Sequence, residues 1–257
     1  MTVFERSALA VCLALLVTAC GRKGALIYPD MMAPAAPDNV YALQSGSAVK
    51  LRFSLPDKDR SGRPLPVIAG VRISRRAAAT GRKDLCRTCT TDYSLVQTIY
   101  LDHMPAATQR VGNRLVLLDG DVTAGSSYSY RVASFTADGV DGAAAPTADV
   151  PVTPPLPAPL LKIETFPTEV RLQFSFSQPL KTGRLLGYNL YRRSDAPVRP
   201  YEPLNREPLQ GKEYVDATLE RGVKYRYSAR ALIVMVSGDV AESAESEEVE
   251  GMLKDDE

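Results

Sequence analysis

Several short stretches of the chain alternate between apolar and polar side chains. In one of them Val49, Leu51 and Phe53 lie at alternate positions. The residues between them, Lys50 and Arg52, are charged. Because successive side chains of a β-strand point to opposite faces, this stretch predicts a half-buried strand with its charges outward. Similar signals predict six further strands in the first half of the chain, at 40–43, 67–76, 93–101, 114–118, 128–135 and 148–152. No helical period is convincing, so the pattern predicts an all-β fold.

A motif with the pattern D-x-x-(V/L)-x-x-G-x-x-Y-x-Y occurs twice, at 119–130 and 216–227. Gly125 and Gly222 can take the positive φ that a tight turn needs. Tyr128 and Tyr225 then begin the following strands. A Tyr in this position can bury its ring and return its hydroxyl to the backbone of the preceding turn, as in the tyrosine corner of Greek-key sandwiches. Two unrelated hairpins with similar turns are the alternative.

The second half of the chain also repeats two strands of the first half. The stretch 170–176 has Val, Leu and Phe where 49–55 has Val, Leu and Phe, and 187–193 repeats the Gly and the two final arginines of 70–76. The copies lie 121 and 117 residues apart at these two segments and 97 apart at the Tyr motif. The first unit therefore carries an insertion, which we place at about 77–112.

These segments together resemble fibronectin type III domains. The usual signals of that family are an alternating second strand, a G-(Y/V)-x-(V/I/L)-x-R third strand and a G-x-x-Y-x-(Y/F) turn and strand. The resemblance implies two tandem Greek-key β-sandwiches, at 38–152 and 158–252. The Trp that the second strand of the family usually supplies is absent, and Phe53 and Phe174 occupy its place. The family implies adhesion, scaffolding or partner binding, and rarely catalysis.

Between the two units, residues 153–157 form a Pro-rich linker. Such runs prefer extended polyproline II, so we expect a semi-rigid spacer that holds the sandwiches end to end. The chain ends in an acidic tail at 253–257. From Glu242 onward there are eight acidic residues and one Lys, which predicts a solvated end. The whole chain has a net charge of +1 and therefore no global basic footprint for nucleic acid.

The first nineteen residues have the pattern of a secretory signal. A short polar start precedes an apolar run at 8–17, which is too short to span a bilayer core of about 30 Å and suits a signal peptide. The sequence LVTACG at 16–21 resembles the bacterial lipobox. That resemblance implies cleavage before Cys20 and acylation of Cys20, with palmitate among the acyl chains. A soluble secreted protein with an incidental Cys is the alternative.

Gly21 follows the modified Cys20. An Asp at this position retains enteric lipoproteins in the inner membrane, so a Gly there favours the outer membrane. The segment 20–29, CGRKGALIYP, also resembles the start of small outer-membrane lipoproteins that assist maturation of the lipopolysaccharide translocon, C-G-x-K-G-P-L-Y-x-P. Here Ala25 replaces the Pro. The resemblance implies contact with an outer-membrane partner; a basic linker is the alternative. We expect residues 20–37 to be a lipidated tether that reaches about 55 Å at most.

Few residues carry candidate chemistry. Cys86 and Cys89 form the only C-x-x-C, and His103 is the only His, so four zinc ligands are not available. In an oxidising periplasm we expect Cys86 and Cys89 to form a local disulfide, with a redox centre as the alternative. No nucleophile elbow, phosphate loop or metalloprotease motif occurs. We therefore expect no catalytic residues, no metal and no cofactor.

Four arginines end equivalent strands, at positions 75, 76, 192 and 193. They could form a basic rim for acidic lipid headgroups, or simply a solvated strand edge, since edge charges also block aggregation. The sequence as a whole predicts a non-enzymatic, lipid-anchored envelope protein, in the outer membrane and facing the periplasm, that binds another envelope protein or a glycan. The alternative is an accessory factor for assembly of outer-membrane proteins or of the lipopolysaccharide translocon.

Overall fold

The structure is a computed structural model, which describes residues 28–65, 67–79, 92–176, 180, 183–194 and 200–254. The described residues form β-strands and one short 3-10 helix, Pro29–Met32, and contain no α-helix. The strands build two β-sandwiches, each with its own hydrophobic core. The all-β prediction and the prediction of two β-sandwiches are therefore confirmed.

The described residues of the first sandwich form nine strands: β1 Asp38–Ser45, β2 Ala48–Ser54, β3 Gly70–Ala79, β4 Ser94–Tyr100, β5 Thr108–Val111, β6 Arg114–Asp119, β7 Ser126–Phe135, β8 Asp141–Pro146 and β9 Val150–Pro151. One sheet has the order β1-β2-β6-β5, and the other has β4-β3-β7-β8 with β9 also on β7. The chain changes sheet between β2 and β3, between β4 and β5, and between β6 and β7. All seven predicted strands are present, while β5 and β8 lack alternation and were not predicted.

In the part of the second sandwich that the structure describes there are seven strands: β10 Leu160–Thr165, β11 Val170–Ser175, β12 Gly183–Arg193, β13 Glu213–Asp216, β14 Tyr225–Met235, β15 Val240–Glu242 and β16 Val249–Gly251. One sheet has the order β10-β11-β13, and in the other β14 lies between β12 and β15 and also pairs β16. Phe53 and Phe174, which replace the expected Trp, are 0% and 1% exposed at equivalent places in the two cores. A Phe is thus large enough to fill this part of the inner face.

The two sandwiches share one continuous sheet. Strand β1 pairs in parallel with β15, with Gln44 beside Ala241 and Ser45 beside Glu242. The sheet therefore has eight described strands and runs through both units. We expected the two sandwiches to lie end to end on a spacer. This expectation is wrong, because the edge strands β1 and β15 form hydrogen bonds with each other through their exposed backbone groups. Thr153 in the linker donates its backbone N–H to the Gln44 side chain at 3.0 Å, so the linker is held against the first sandwich.

Residues 29–37 pack on the first sandwich instead of forming a free tether. The backbone N–H of Ala35 donates to the carbonyl of Lys58 at 3.0 Å, and the carbonyl of Pro34 accepts the N–H of Ala143 at 2.9 Å. Ala33 is 4% exposed. The prediction of a free tether is wrong for this segment. It depended on the absence of a periodic pattern, but a segment without periodicity can still form backbone hydrogen bonds with a neighbouring loop.

The acidic end of the chain is largely part of the second sandwich. Glu242 is 1% exposed, Glu248 pairs with Arg193 of β12, and Glu250 pairs with Arg226 of β14. The prediction of a solvated end from position 242 is therefore wrong for 242–254. Carboxylates can line an ordered strand when a neighbouring strand presents arginines at matching positions.

Candidate functional site

A buried polar cluster lies at the seam, by which we mean the contact between β1 and β15. The carboxylate of Glu242 accepts four hydrogen bonds. Two reach it from the first sandwich, from Ser45 Oγ and Lys50 Nζ, each at 2.6 Å. Two come from strand β12 of the second sandwich, from Asn189 Nδ2 at 2.7 Å and Tyr191 Oη at 2.9 Å. Every lone-pair direction of this carboxylate therefore has a donor, and the donors come from both units.

Lys50 was predicted to point into solvent, and this is wrong. It points away from the core of its own sandwich, as alternation requires, but the second sandwich covers that face and leaves Lys50 7% exposed. Its ammonium also donates to Tyr191 Oη at 2.8 Å. The alternation of a strand specifies a direction relative to one core, and it contains no information about a second domain.

The charges of the seam are set by burial and by pairing. Burial by itself would raise the pKa of the Glu242 carboxyl, but Lys50 and the other donors outweigh it and hold that pKa below its usual value. Burial and then the Glu242 charge raise the pKa of Tyr191 well above its usual value. Tyr191 is therefore a neutral hydroxyl, which accepts from Lys50 and donates to Glu242. The cluster is a fully satisfied network that links the two sandwiches.

A second contact holds the units together on the same face. Tyr201 donates its backbone N–H to the side chain of Gln109 at 2.7 Å. Glu202 lies 3.5 Å from Arg114 and 4.0 Å from Arg52. The second sandwich therefore contacts the outer face of the first sandwich at two separate places, which restricts rotation of one unit against the other.

A groove of about 400 Å³ opens beside the seam. Its walls are the residues 41–44 of β1, the residues 148–151 and the residues 239–241 that enter β15. Consecutive residues of one strand point to opposite faces, so a wall made of four consecutive residues is the edge of the strand. Side chains of mixed size line the groove as well, among them Tyr41, Gln44 and Met235. Such a surface suits an extended chain that pairs with strand edges.

The duplicated motif forms a polar cluster in each sandwich. Gly125 and Gly222 have φ of +89° and +76°, in the range that favours glycine. The hydroxyl of Tyr128 accepts the backbone N–H of Thr123 at 2.9 Å, which is the geometry of a tyrosine corner. Tyr225 accepts from the N–H of Glu220 at 3.3 Å in the same way.

The second tyrosine of each motif binds the first Asp of the motif. Tyr130 Oη donates to Asp119 at 2.9 Å, and Tyr227 Oη donates to Asp216 at 3.0 Å. Each carboxylate also pairs with an arginine at 2.8 Å, Arg75 for the first and Arg192 for the second. These contacts explain why Asp, both Tyr and an Arg of β3 or β12 recur together in the two halves. The sequence contained that signal, since the Arg positions repeat with the motif, but the pairing was not predicted.

The four arginines that the sequence placed at strand ends do not form an open basic rim, and β3 continues past Arg75 and Arg76 to Ala79. Arg75 and Arg192 are held by the motif carboxylates, each with its guanidinium 5.2 Å from the ring of a corner tyrosine. Arg76 pairs with Asp149 at 3.4 Å, and Arg193 pairs with Glu248 at 2.7 Å. Because each cation has a carboxylate partner, the hypothesis of a rim that binds acidic lipids loses its support.

Substituting Tyr128 by Phe should lower the free energy of unfolding by about 1 kcal/mol, the usual net value of one hydrogen bond. The ring stays in place, and only the acceptor for the Thr123 N–H is lost. The same change at Tyr225 should cost less, because that bond is longer. Urea unfolding of both variants measures the difference, and equal values for both would contradict this order.

Of the remaining candidate residues, the structure describes only His103. His103 is exposed and lies beside Asp102. Cys20, Cys86 and Cys89 fall outside the described residues, so their lipidation and disulfide remain predictions. Within the described ranges no group of three or more His, Cys, Asp or Glu side chains could hold a metal ion. The part of the chain that the structure describes has no helix with the length and hydropathy needed to cross a membrane.

No protein-family model matches the sequence, and no curated protein matches it. Among solved structures, the chain is similar to the chicken CNTN1 FN1-FN3 domains, with 13% identity, 87% of this chain and 69% of that chain covered, and a TM-score of 0.30. It is also similar to the twitchin kinase region from C. elegans, with 18% identity and a TM-score of 0.31. That match covers 47% of this chain and only 17% of the twitchin chain. The fold assignment therefore depends on the strand order and register of this chain itself.

Proposed function

We propose that the protein is a non-enzymatic, lipid-anchored scaffold of the cell envelope, whose two sandwiches bind another envelope protein. The observation that carries this proposal is the continuous sheet through β1 and β15, with the Glu242 cluster buried on it. A flexible pair of modules would not need a buried ion pair between them, because burying charges is costly unless they are fully paired. A fixed arrangement of two sandwiches is suited to presenting one composite surface.

The groove beside the seam is the surface at which we place the partner. Its walls are strand edges, which suit an extended protein segment better than a glycan, since backbone groups can pair with a strand along its length. Val240 lies in this groove and is 36% exposed, and Val215 on β13 is a matched exposed valine of the other sheet.

In-cell crosslinking tests this placement. A photo-crosslinking amino acid at position 240 should give a discrete adduct that mass spectrometry can identify, and the same amino acid at position 215 should not. Adducts from both positions, or from position 215 alone, would contradict the placement of the partner in the groove.

The anchor on Cys20 is supported by the lipobox resemblance of the sequence at 16–21. We expect the Cys20→Ala variant to move from the membrane fraction to the soluble fraction, because loss of the acyl chains removes about 0.8 kcal/mol for every buried methylene. Fractionation of cells, with mass spectrometry of the mature amino end of the parent protein, measures this. A variant that stays with the membrane would show that another element anchors the protein.

The second candidate function is an accessory role in assembly of an outer-membrane machine. It is favoured by the resemblance of 20–29 to the start of small lipoproteins that assist maturation of the lipopolysaccharide translocon. It is also favoured by the position of that segment next to the docked residues 29–37. Deleting 22–27 while keeping Cys20 and Pro29 removes the segment without touching the sandwich. Loss of one co-purifying outer-membrane protein would favour this role, and an unchanged set of partners would exclude it.

A further inference from the structure

One edge of strand β1 is only partly paired. On one side β1 pairs with β2 along most of its length. On the opposite edge, the described residues pair only with Gln44 and Ser45, through β15. The chain enters β15 from a turn at Gly238, whose φ is +92°, so β15 does not continue along β1. The part of β1 that precedes Gln44 therefore has an open edge on the side of β15.

The register of β1 shows which backbone groups are open. Gly46 donates its N–H to the carbonyl of Glu242 at 3.1 Å, so the backbone of Gly46 faces β15. Successive residues of a strand present their N–H and C=O to opposite edges, so Gln44 and Ala42 face the same side. The β-bulge of β1 lies before Tyr41 and does not change this alternation. The N–H and C=O of Ala42 thus point away from β2, and no described residue pairs with them.

This open position lies in the wall of the groove beside the seam. The side chains of Val40 and Ala42 pack against the core of the first sandwich, so they point into the gap between its two sheets. Ala148 and Val150 line the groove from the side of the other sheet. In an added strand, the residue beside Ala42 would point its side chain the same way. Because Ala42 and Ala148 are its neighbours there, a small apolar side chain suits this place.

Charge does not select the occupant of this groove. Two carboxylates are among the described residues that line it, Asp149 and Asp239, and no Lys or Arg is among them. Asp149 pairs with Arg76 at 3.4 Å, and Asp239 accepts a hydrogen bond from Ser237 Oγ at 2.7 Å. Both carboxylates therefore have partners within the protein. Backbone pairing and apolar contact are the interactions that the groove offers.

We propose that the edge of β1 at Ala42 accepts an extended segment of another envelope protein as an additional strand, with a small apolar residue of that segment beside Ala42. This proposal rests on the proposed function, which places the partner in this groove, and it names how the partner is held. The groove continues the interface between β1 and β15, so the new strand would follow β15 along the same edge. The four residues 41–44 give it a wall of about 13 Å at ~3.3 Å per residue.

A proline at position 42 tests this pairing. Pro has no N–H, and its ring lies where the N–H of Ala42 faces the groove. The hydrogen bonds between β1 and β2 do not use this N–H, and strands tolerate Pro where the N–H faces away from the ladder. We therefore expect the Ala42→Pro variant to fold. We expect the adduct formed in cells by a photo-crosslinking amino acid at position 240 to fall by at least about fivefold, the equilibrium factor of one net hydrogen bond.

Arg110→Pro is the matched control. Arg110 is exposed on β5, the edge strand at the far end of the same sheet. The carbonyl of Ala107 accepts the N–H of Leu118 of β6, so alternation turns the N–H of residue 110 away from β6. We expect this variant to give the adduct at the level of the parent protein. An adduct that Ala42→Pro leaves unchanged, or that Arg110→Pro reduces equally, would overturn the proposal.

Hydrogen exchange tests the pairing without a substitution in β1, and it decides the question if Ala42→Pro does not fold. In the free protein, residue 42 has the one amide of the stretch 41–45 that pairs with neither β2 nor β15. Mass spectrometry of a peptide that covers this stretch should therefore detect one fast-exchanging amide. In the purified adduct from position 240 we expect that amide to be protected. A fast amide that persists in the adduct would refute backbone pairing.

The outcomes separate this proposal from the proposed function. If position 240 gives no adduct in the parent protein, the placement of the partner in the groove is wrong, and this proposal fails with it. If the adduct forms but survives Ala42→Pro, only the backbone pairing is wrong. An adduct with twice the mass of the protein would identify a second copy of this chain, and an adduct that contains no foreign peptide would identify a glycan. Either result would overturn the assignment to a segment of another protein.

Discussion

Replacing Glu242 with Gln should lower the free energy of unfolding by about 3–5 kcal/mol, the usual cost of removing one partner of a buried ion pair. The ammonium of Lys50 would stay buried with no counter-charge, although Gln keeps the shape of the side chain and part of its hydrogen bonding. Since the donors to Glu242 come from both sandwiches, we also expect the units to unfold in separate steps in the variant. Urea unfolding followed by tyrosine fluorescence and circular dichroism measures both effects.

Two further variants make this prediction specific. Glu250→Gln removes another carboxylate that binds arginine, but Glu250 is on the surface, where ion pairs contribute little. Combining Lys50→Met with Glu242→Gln removes the unpaired ammonium, so the double variant should be more stable than Glu242→Gln alone. Equal losses for Glu242→Gln and Glu250→Gln would show that the buried network does not hold the units together.

The same carboxylate predicts a dependence on pH. The folded pKa of Glu242 lies below its value in the unfolded chain, near 4.5. Its contribution to stability is therefore complete above that value and is lost as the pH falls through the folded pKa. We expect the difference in stability between the parent protein and Glu242→Gln to be largest near neutral pH and to shrink in acid.

Replacing Asp216 with Ala should cost about 3 kcal/mol, because it leaves a buried hydroxyl and a guanidinium without their acceptor. Asp216 is 1% exposed and Tyr227 is fully buried. Besides Tyr227 and Arg192, the carboxylate accepts the backbone N–H of Thr218 at 3.0 Å, so the turn before β14 also loses a bond. Thermal unfolding should show the loss in the transition of the second sandwich.

The first sandwich contains a matched control for this change. Asp121 pairs with Arg75 in the equivalent turn, but its side chain is 93% exposed. Asp121→Asn should change the free energy of unfolding by less than about 0.5 kcal/mol, as is usual for surface positions. A comparable loss for Asp121→Asn and Asp216→Ala would mean that charge in the turn, and not the buried Tyr227 contact, determines the effect.

Much of the fold could be predicted because its signals are local. Val49, Leu51 and Phe53 point into a core simply because they alternate with Lys50 and Arg52, and the Gly of each duplicated motif marks a turn. The predicted strands are present for this reason. Strand β5 and strand β8 were missed because neither alternates, and each is a short edge segment held by its neighbour.

The candidate site was not predictable in the same way. Lys50 and Glu242 are 192 residues apart, and neither has a neighbour in sequence that identifies its partner. Glu242 even belongs to a run that composition assigns to a solvated end. Likewise, residues 29–37 have the composition of a linker, and only the loop around Arg60 and the start of β8 provide their hydrogen-bond partners.

By itself, the sequence determined two β-sandwiches with a duplicated turn motif, since the alternation of side chains and the turn glycines act over a few residues. It also supplies the lipobox resemblance from which we predict the anchor on Cys20. Only the tertiary structure decided that the sandwiches share a sheet, that Lys50 is buried and that residues 29–37 pack on the first sandwich. These features depend on pairing between backbone edges and charges far apart in the chain, and such pairing leaves no periodic mark in either partner.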